Sequence, residues 1–91
     1  MIIDYSERAL YYNDMPISLA KKEFDIIALL STHPGMVFDK ERIYERLWGL
    51  NKEGDSSVIA EHIRRIRVKL KEHGCENSIE TVWGVGYKWR K

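Results

Sequence analysis

Short apolar stretches separated by polar turn residues open the chain. Ile2–Ile3, Ala9–Tyr12 and Met15–Ile17 each have the length and composition of a strand, and Asn13–Asp14 lies between the second and the third. Asparagine and aspartate both tolerate the positive φ that a tight hairpin turn requires. This part of the sequence therefore predicts a small antiparallel sheet.

The apolar period then changes to that of a helix. Apolar residues recur at helical spacing from Leu19 to Leu30, and the sequence His33–Gly35, with its proline and glycine, ends the pattern. A second helical pattern follows Asp39, whose carboxylate is suited to cap a helix N-terminus, and the sequence "GLNKEGD" ends it. Its predicted inward face is apolar and aromatic: Ile43, Tyr44, Leu47 and Trp48.

A third helical pattern begins near Asp55 or Ser56 and continues to about Glu72, where His73–Gly74 supplies a left-handed cap. A rotation of about 100° per residue places four apolar residues in one stripe: Ile59, Ile63, Ile66 and Leu70. The opposite face is mostly cationic or hydrogen-bonding, and Arg67 and Lys69 lie on its flanks. It consists of Ser57, Glu61, Arg64, Arg65 and Val68.

The last segment, "SIETVWGVGYKWR", alternates around Gly84 and Gly86 and predicts a terminal β-hairpin. A short sheet, three helices and a terminal hairpin make an α+β domain of the winged helix-turn-helix class. In that class the third helix, here about residues 56–72, enters the DNA major groove. The hairpin, about residues 79–90, reaches the adjacent backbone or minor groove.

Composition supports one small domain over residues 1–91. Hydrophobic residues make up 44% of the chain, enough for one core. Cys75 is the single cysteine, so an internal disulfide is excluded and a plain loop thiol is predicted. The longest apolar run, "IIALL", is far shorter than the ~20 residues that span a bilayer. We therefore expect a cytoplasmic protein without membrane contact.

Charge is distributed unevenly between the two parts of the chain. Residues 1–61 hold seven Lys or Arg and eleven Asp or Glu, whereas residues 62–91 hold eight and three, so a net charge of +1 conceals balances of −4 and +5. Four of these cations lie in "HIRRIRVKL", which has no acidic residue. Such clustering favours a polyanion as the partner of the third helix, and double-stranded DNA is the expected one.

Other functional classes fit the sequence less well. No enzyme, cofactor or metal site is expected, because His33, His62 and His73 have no paired carboxylate or nucleophile, and His73 with Cys75 supplies too few metal ligands. RNA modules usually expose aromatic residues on a sheet, whereas the determinants here are helical arginines. A winged-helix protein-interaction module without DNA binding stays as the alternative, since a fold does not prove a function.

Three motifs together resemble the C-terminal effector domain of OmpR/PhoB-type response regulators: "KKEFDIIALLSTHPGMVFDKERIYERLWG", "HIRRIRVKL" and "IETVWGVGYKW". The likeness covers essentially the whole chain. It implies a two-component transcription regulator whose N-terminal receiver domain, expected outside this sequence, is phosphorylated on aspartate by a histidine kinase in a phosphorelay. It also implies dimers on direct-repeat DNA half-sites. A loop that contacts RNA polymerase corresponds to Gly49, Leu50, Asn51, Lys52, Glu53 and Gly54.

The resemblance also implies a set of DNA-facing positions: Trp48, His62, Arg64, Arg65, Arg67, Thr81, Gly84 and Tyr87. Histidine, threonine and tyrosine side chains can donate to phosphate oxygens, and arginines can pair with phosphates or guanine edges. A glycine lets its backbone N–H approach the DNA strand closely. Core packing at the end of the second helix is the alternative role for Trp48.

Several positions depart from the family pattern. Ala20 stands where relatives commonly have a capping threonine, so the first helix should lose a hydroxyl cap. Ser57–Val58 and Ala60 replace the usual Arg-Thr pair and Asp, and Glu61 replaces a commonly apolar residue, so base preference should differ. Ser57 and Glu61 join the predicted DNA-facing set from the outward face. Glu61 either accepts from cytosine N4 or pairs with an arginine one turn later. Trp83 replaces a minor-groove arginine, and an indole cannot supply that cation.

Overall fold

The computed structural model describes residues 1–49 and 54–91. Within these residues a three-stranded sheet precedes three helices and a two-stranded hairpin. The strands are β1 (Ile2–Asp4), β2 (Ala9–Tyr12), β3 (Met15–Ile17), β4 (Ile79–Val82) and β5 (Gly86–Trp89). The helices are α1 (Lys21–Ser31), α2 (Lys40–Trp48) and α3 (Val58–Glu72). The predicted winged helix-turn-helix class is confirmed.

The N-terminal sheet has the predicted antiparallel order, β1-β2-β3. Leu10 in its centre pairs with Ile3 on one side and Ile17 on the other. Asn13 and Asp14 form the turn between β2 and β3 with φ values of 51° and 64°. The turn was predicted because asparagine and aspartate both tolerate positive φ, and both residues adopt it.

Helix α1 begins without a side-chain cap at Ala20. The Glu23 carboxylate compensates in part, because its Oε1 accepts a hydrogen bond of 2.9 Å from the Ala20 amide. This is the reciprocal half of a capping box, the half that does not need a hydroxyl at the preceding position. The predicted loss of the hydroxyl cap is confirmed.

Helix α2 begins as predicted, because Asp39 Oδ1 accepts from the Arg42 amide at 2.7 Å. Helix α3 begins at Val58, later than the predicted start near residue 56. Asp55 accounts for the difference, since its carboxylate accepts from the Ser57 amide at 2.8 Å and from the Ser57 hydroxyl. Such local bonds stabilise a turn in competition with a helix. The C-terminal end of α3, at Glu72, is as predicted.

The core lies where the sheet, the three helices and the hairpin meet. The apolar stripe of α3 is buried as predicted, and α1 buries Phe24, Ile26, Ile27 and Leu30. Cys75 is also buried, although it follows α3 in a loop. The core cluster includes Leu10, Ile17, Ile26, Ile27, Leu30, Phe38, Ile43, Ile59, Ile63, Ile66, Leu70, Cys75 and Ile79.

The C-terminal hairpin is attached to the segment that precedes α2. The Phe38 amide donates to the Tyr87 carbonyl at 2.8 Å, and the Tyr87 amide donates back at 2.9 Å. A Cβ at Gly86 would lie 2.2 Å from the Phe38 carbonyl oxygen, so only glycine permits this approach. None of the helices in the two described ranges is long and apolar enough to cross a membrane.

Candidate nucleic-acid interface

The outward face of α3 presents Arg64 and Arg65 to solvent. Their side chains are 64% and 55% exposed, on the face opposite the buried stripe. Glu61 lies one turn before them and pairs with both, at 2.5 Å from Arg64 Nη2 and 3.3 Å from Arg65 Nε. The ion-pair interpretation of Glu61 therefore describes the free domain. Base reading by Glu61 stays a prediction, because that contact exists only in a complex.

Arg64 also stabilises the ionised form of the Glu61 carboxyl. Its Nε donates to Glu61 Oε1 at 3.0 Å, and its Nη2 donates to the same oxygen. These hydrogen bonds, together with the charges of Arg64 and Arg65, hold the pKa of the Glu61 carboxyl below its ordinary value of 4.5, against a smaller opposing effect of desolvation. The same contact raises the pKa of Arg64. Both shifts favour the charged forms that make the ion pair.

Arg67 joins α3 to the hairpin. Its Nη2 donates to the Thr81 hydroxyl at 2.8 Å and to the Ile79 carbonyl at 2.9 Å. The guanidinium carbon also lies 5.8 Å from the centre of the Tyr87 ring. The side chain is only half-exposed. In the free domain Arg67 thus positions the hairpin beside the helix, and its contact with DNA stays a prediction.

Trp48 closes the end of α2 against α3. Its ring stacks on Tyr44 with centroids 5.0 Å apart, meets the His62 ring edge-on at 5.6 Å, and has Lys22 Nζ 4.8 Å from its centre. The indole is half-buried and packs against the core cluster. This surrounding favours the core-packing role for Trp48 and places His62 at the edge of the outward face.

The hydrogen bonding of His62 restricts how it can meet a phosphate. Its Nδ1 lies 3.0 Å from the Val58 carbonyl oxygen, which can only accept, so Nδ1 carries the proton. In the neutral ring Nε2 is then an acceptor. Donation to a phosphate oxygen from Nε2 therefore requires the doubly protonated imidazolium, a condition that the sequence did not indicate.

The predicted DNA-facing residues of the hairpin lie partly within the paired strands and partly at the tip. Thr81 and Tyr87 are paired across β4 and β5 and are half-buried near Arg67. Gly84 is exposed at the tip with a φ of +78°. The structure therefore brings Arg67, Thr81 and Tyr87 together and leaves Gly84 farther out along the hairpin.

Two other predicted regions precede α3. Ser57 is exposed, but its amide and hydroxyl are engaged by Asp55. Of the predicted polymerase-contact loop, Gly49 and Gly54 have φ values of 93° and 107°. Leu50, Asn51, Lys52 and Glu53 lie outside the described residues.

Lys69 does not belong to the outward cationic face that its place on the flank suggested. Its Nζ donates to Glu23 Oε1 at 2.6 Å, and Glu23 is only 2% exposed. The pair connects the N-terminus of α1 to α3 and neutralises one charge of the cationic segment. The helical pattern marks Glu23 as a cap residue, but nothing local to either residue indicates its partner 46 positions away.

Sequence reasoning also missed a groove beside the C-terminal half of α3. It has a volume of about 450 Å³ and lies between the helix and the hairpin. Arg67, Lys71, Arg90 and the indole of Trp83 are among its lining residues. In the same described part of the chain, no group of three or more His, Cys, Asp or Glu side chains is placed to hold a metal ion.

Known proteins share this combination of helix and hairpin. Residues 14–89 match the family model described as "Transcriptional regulatory protein, C terminal". The chain belongs to this family. Among curated members it is 41% identical over 88 residues to the transcriptional regulatory protein SpaR of Bacillus subtilis, and 36% identical over 88 residues to the heme response regulator HssR of Staphylococcus aureus. Each match covers 97% of this chain, and 40% and 39% of the respective relative.

Solved structures of the family have the same fold. The DNA-binding domain of Bacillus subtilis CssR is 30% identical, with a TM-score of 0.83 and 97% of both chains covered. The DNA-binding domain of Klebsiella pneumoniae RstA, solved in complex with the RstA box, is 27% identical, with a TM-score of 0.82, over 97% of this chain and 88% of that one. Family membership confirms the resemblance to OmpR/PhoB-type effector domains, a class of DNA-binding transcription regulators. The chain spans about 40% of the length of the curated relatives it matches.

Proposed function

We propose that this domain binds double-stranded DNA sequence-specifically, with α3 in the major groove and the hairpin on the adjacent backbone or minor groove. The observation that carries the proposal is the juxtaposition of exposed Arg64 and Arg65 on α3 with a hairpin that Arg67 attaches to the same helix. A major groove admits one helix, and a second element fixed beside it adds backbone contacts.

The proposed contacts follow from chemistry and position. Arg64 and Arg65 pair with phosphates or with guanine edges, and protonated His62 donates to a phosphate at the start of the helix. Thr81, Tyr87 and the Gly84 amide face the backbone from the hairpin. Ser57 and Arg67 contribute only after exchanging bonds that they make within the free domain.

The proposal extends to the protein of which such a domain forms part. A two-component regulator would carry a receiver domain phosphorylated by a histidine kinase, and two copies would bind direct-repeat half-sites. Support comes from the named relatives, both regulators, of which this chain covers about two fifths. A regulator that acts on chromosomal DNA in a bacterium works in the cytoplasm.

RNA polymerase is the proposed partner of the loop from Gly49 to Gly54. The support is its sequence, which contains Asn51, Lys52 and Glu53 and precedes α3, because polar connecting segments near a bound duplex are suited to contact a second protein. Charge reversal at Lys52 and Glu53 should reduce transcription in vitro at unchanged DNA affinity. Parallel loss of affinity would show that the loop serves DNA docking instead.

Selection of duplexes from a random DNA pool, followed by titration at several salt concentrations, tests DNA binding. Five to seven phosphate contacts would each release about 0.9 of a counterion, so log K should fall with log[salt] with a slope of roughly −5. Arg65→Gln should reduce the slope by about 1. Lys21→Gln, beside the turn between β1 and β2, is the matched control. No enriched duplex, or a slope near zero, would favour the protein-interaction alternative.

A further inference from the structure

Trp83 at the tip of the hairpin is exposed to an unusual extent for an indole. Its relative exposure is 89%, whereas Trp48 and Trp89 are half-buried and pack against the core. Val85, two residues later, is 57% exposed. Covering a large apolar surface with a partner lowers the free energy of the system. This tip is therefore suited to a contact that the free domain does not make.

The turn orders the backbone from which the indole projects. The Val85 amide donates to the Val82 carbonyl at 2.9 Å, which closes a β-turn around Trp83 and Gly84. Gly84 supplies the positive φ, +78°, that the third position of a type II turn requires. The strands remain paired up to Val82 and Gly86, directly below the turn. Because the backbone of the tip is already ordered, covering the indole costs side-chain freedom but little further backbone freedom.

The surroundings of Trp83 favour a nucleic acid as the partner. The indole borders the groove that also contains Arg67, Lys71 and Arg90, and it continues the surface formed by α3 and the hairpin. Glu76 and Glu80 also line the groove, and Glu80 pairs with Arg90, so the two acids offset part of that charge. A second copy would bring the same cations toward each other. A duplex instead offers phosphates to the cations and deoxyribose faces to the indole.

We propose that Trp83 contacts DNA through its apolar face. The indole packs on deoxyribose rings of the DNA groove that lies next to the major groove occupied by α3. This inference rests on the proposed function and adds to it an apolar contact between the hairpin tip and DNA. Phosphate contacts release counterions and weaken with salt, whereas covering an apolar surface does not. The contribution of Trp83 to affinity is therefore the same at low and at high salt, unlike that of an arginine.

Titration of one selected duplex at several salt concentrations tests this assignment with two variants of residue 83. Trp83→Ala should lower affinity about tenfold at every salt concentration and leave the salt slope unchanged. Trp83→Arg should bind well at low salt and steepen the slope by about 0.9. Met15→Ala, which removes another exposed apolar side chain from the N-terminal sheet, is the control and should change neither quantity.

Indole fluorescence supplies a second readout. The difference between the emission of the unmodified chain and that of Trp83→Ala reports the exposed indole, and acrylamide should quench it less once the duplex is bound. Equal affinities of the two proteins for the duplex, or a shallower slope in Trp83→Ala, would overturn the inference while DNA binding itself stands. Absence of salt-dependent binding by the unmodified chain would overturn the proposed function, and this inference with it.

Discussion

The three arginines of α3 differ in the bonds that each would exchange for the proposed contact with a duplex. Arg65 has one ion pair at 3.3 Å with Glu61, Arg64 has a two-pronged bond to the same carboxylate, and Arg67 is held by the hairpin. A contact that replaces an existing hydrogen bond contributes less free energy than one that adds a bond. Under the proposed function, Arg65 should therefore gain the most from a phosphate or base.

Removal of the Glu61 side chain distinguishes an ion-pair role from base reading. Because the carboxylate pairs with Arg64 and Arg65, Glu61→Ala should leave the ranking of all single-base variants of a selected site unchanged. Affinity for unrelated duplexes should rise roughly twofold, as an i,i+4 ion pair is weak and a negative charge leaves the interface. Binding profiles of both proteins, with Glu72→Ala as control, provide the measurement.

The opposite outcome for Glu61 is equally specific. Loss of preference at one position of each half-site by about 1–3 kcal/mol would show that the carboxylate reads a base. Glu72 lies at the other end of α3, so its removal tests whether any acid on the helix has the same effect.

At the scale of elements, the bond from Arg67 to Thr81 couples α3 to the hairpin. Thr81→Val keeps the side-chain volume but removes the hydroxyl acceptor, so it should lower the free energy of unfolding by about 1 kcal/mol. Arg67→Gln should lower it by more, because it also removes the bond to the Ile79 carbonyl. The double variant should be less destabilised than the two losses added together, because they remove one shared bond. Chemical denaturation of the four proteins measures this coupling.

Thr81→Ser is the matched control for that cycle, since it retains the hydroxyl. In Thr81→Ser the hydroxyl should still accept from Arg67, so the free energy of unfolding should change little. Additive losses in Thr81→Val and Arg67→Gln would show that the 2.8 Å contact does not hold the hairpin to the helix.

At the scale of the whole molecule, the pair of Glu23 and Lys69 makes stability depend on pH. Burial by itself raises the pKa of the Glu23 carboxyl, but hydrogen bonds from Lys69 and the Ala20 amide, with the charges of Lys69 and His62, outweigh it and leave the pKa below 4.5. A lowered folded-state pKa contributes stability above the unfolded-state value and loses it as pH falls through the folded-state value.

Glu23→Gln should therefore flatten the acid limb of the stability curve. The amide oxygen can still accept from Ala20, but it does not titrate, so the free energy of unfolding should fall less between about pH 5 and pH 3 than in the unmodified domain. Denaturation at several pH values measures it, and Glu72→Gln, an exposed acid on α3, is the control. Parallel curves for Glu23→Gln and the unmodified domain would contradict a role for this carboxyl.

Local sequence patterns were sufficient for the elements and their order. The three N-terminal strands, the turn at Asn13–Asp14 and the buried stripe of α3 depend on residue types within a few positions of one another. The start of α3 was wrong because Asp55 bonds to Ser57, and side-chain competition of that kind does not alter the apolar period. Among site residues, Arg64 and Arg65 were predicted as exposed cations because helical rotation alone places them opposite the core.

Periodicity and charge among neighbouring residues were enough to predict the fold class, the order of the elements and the cationic outward face. Which cations remain available depends instead on contacts between distant segments. The tertiary structure pairs Lys69 with Glu23, attaches Arg67 to Thr81, packs Trp48 against His62 and leaves Trp83 in solvent. Each of these outcomes depends on whether segments far apart in the sequence come into contact in the folded domain. A local pattern of apolar and polar residues does not contain that information.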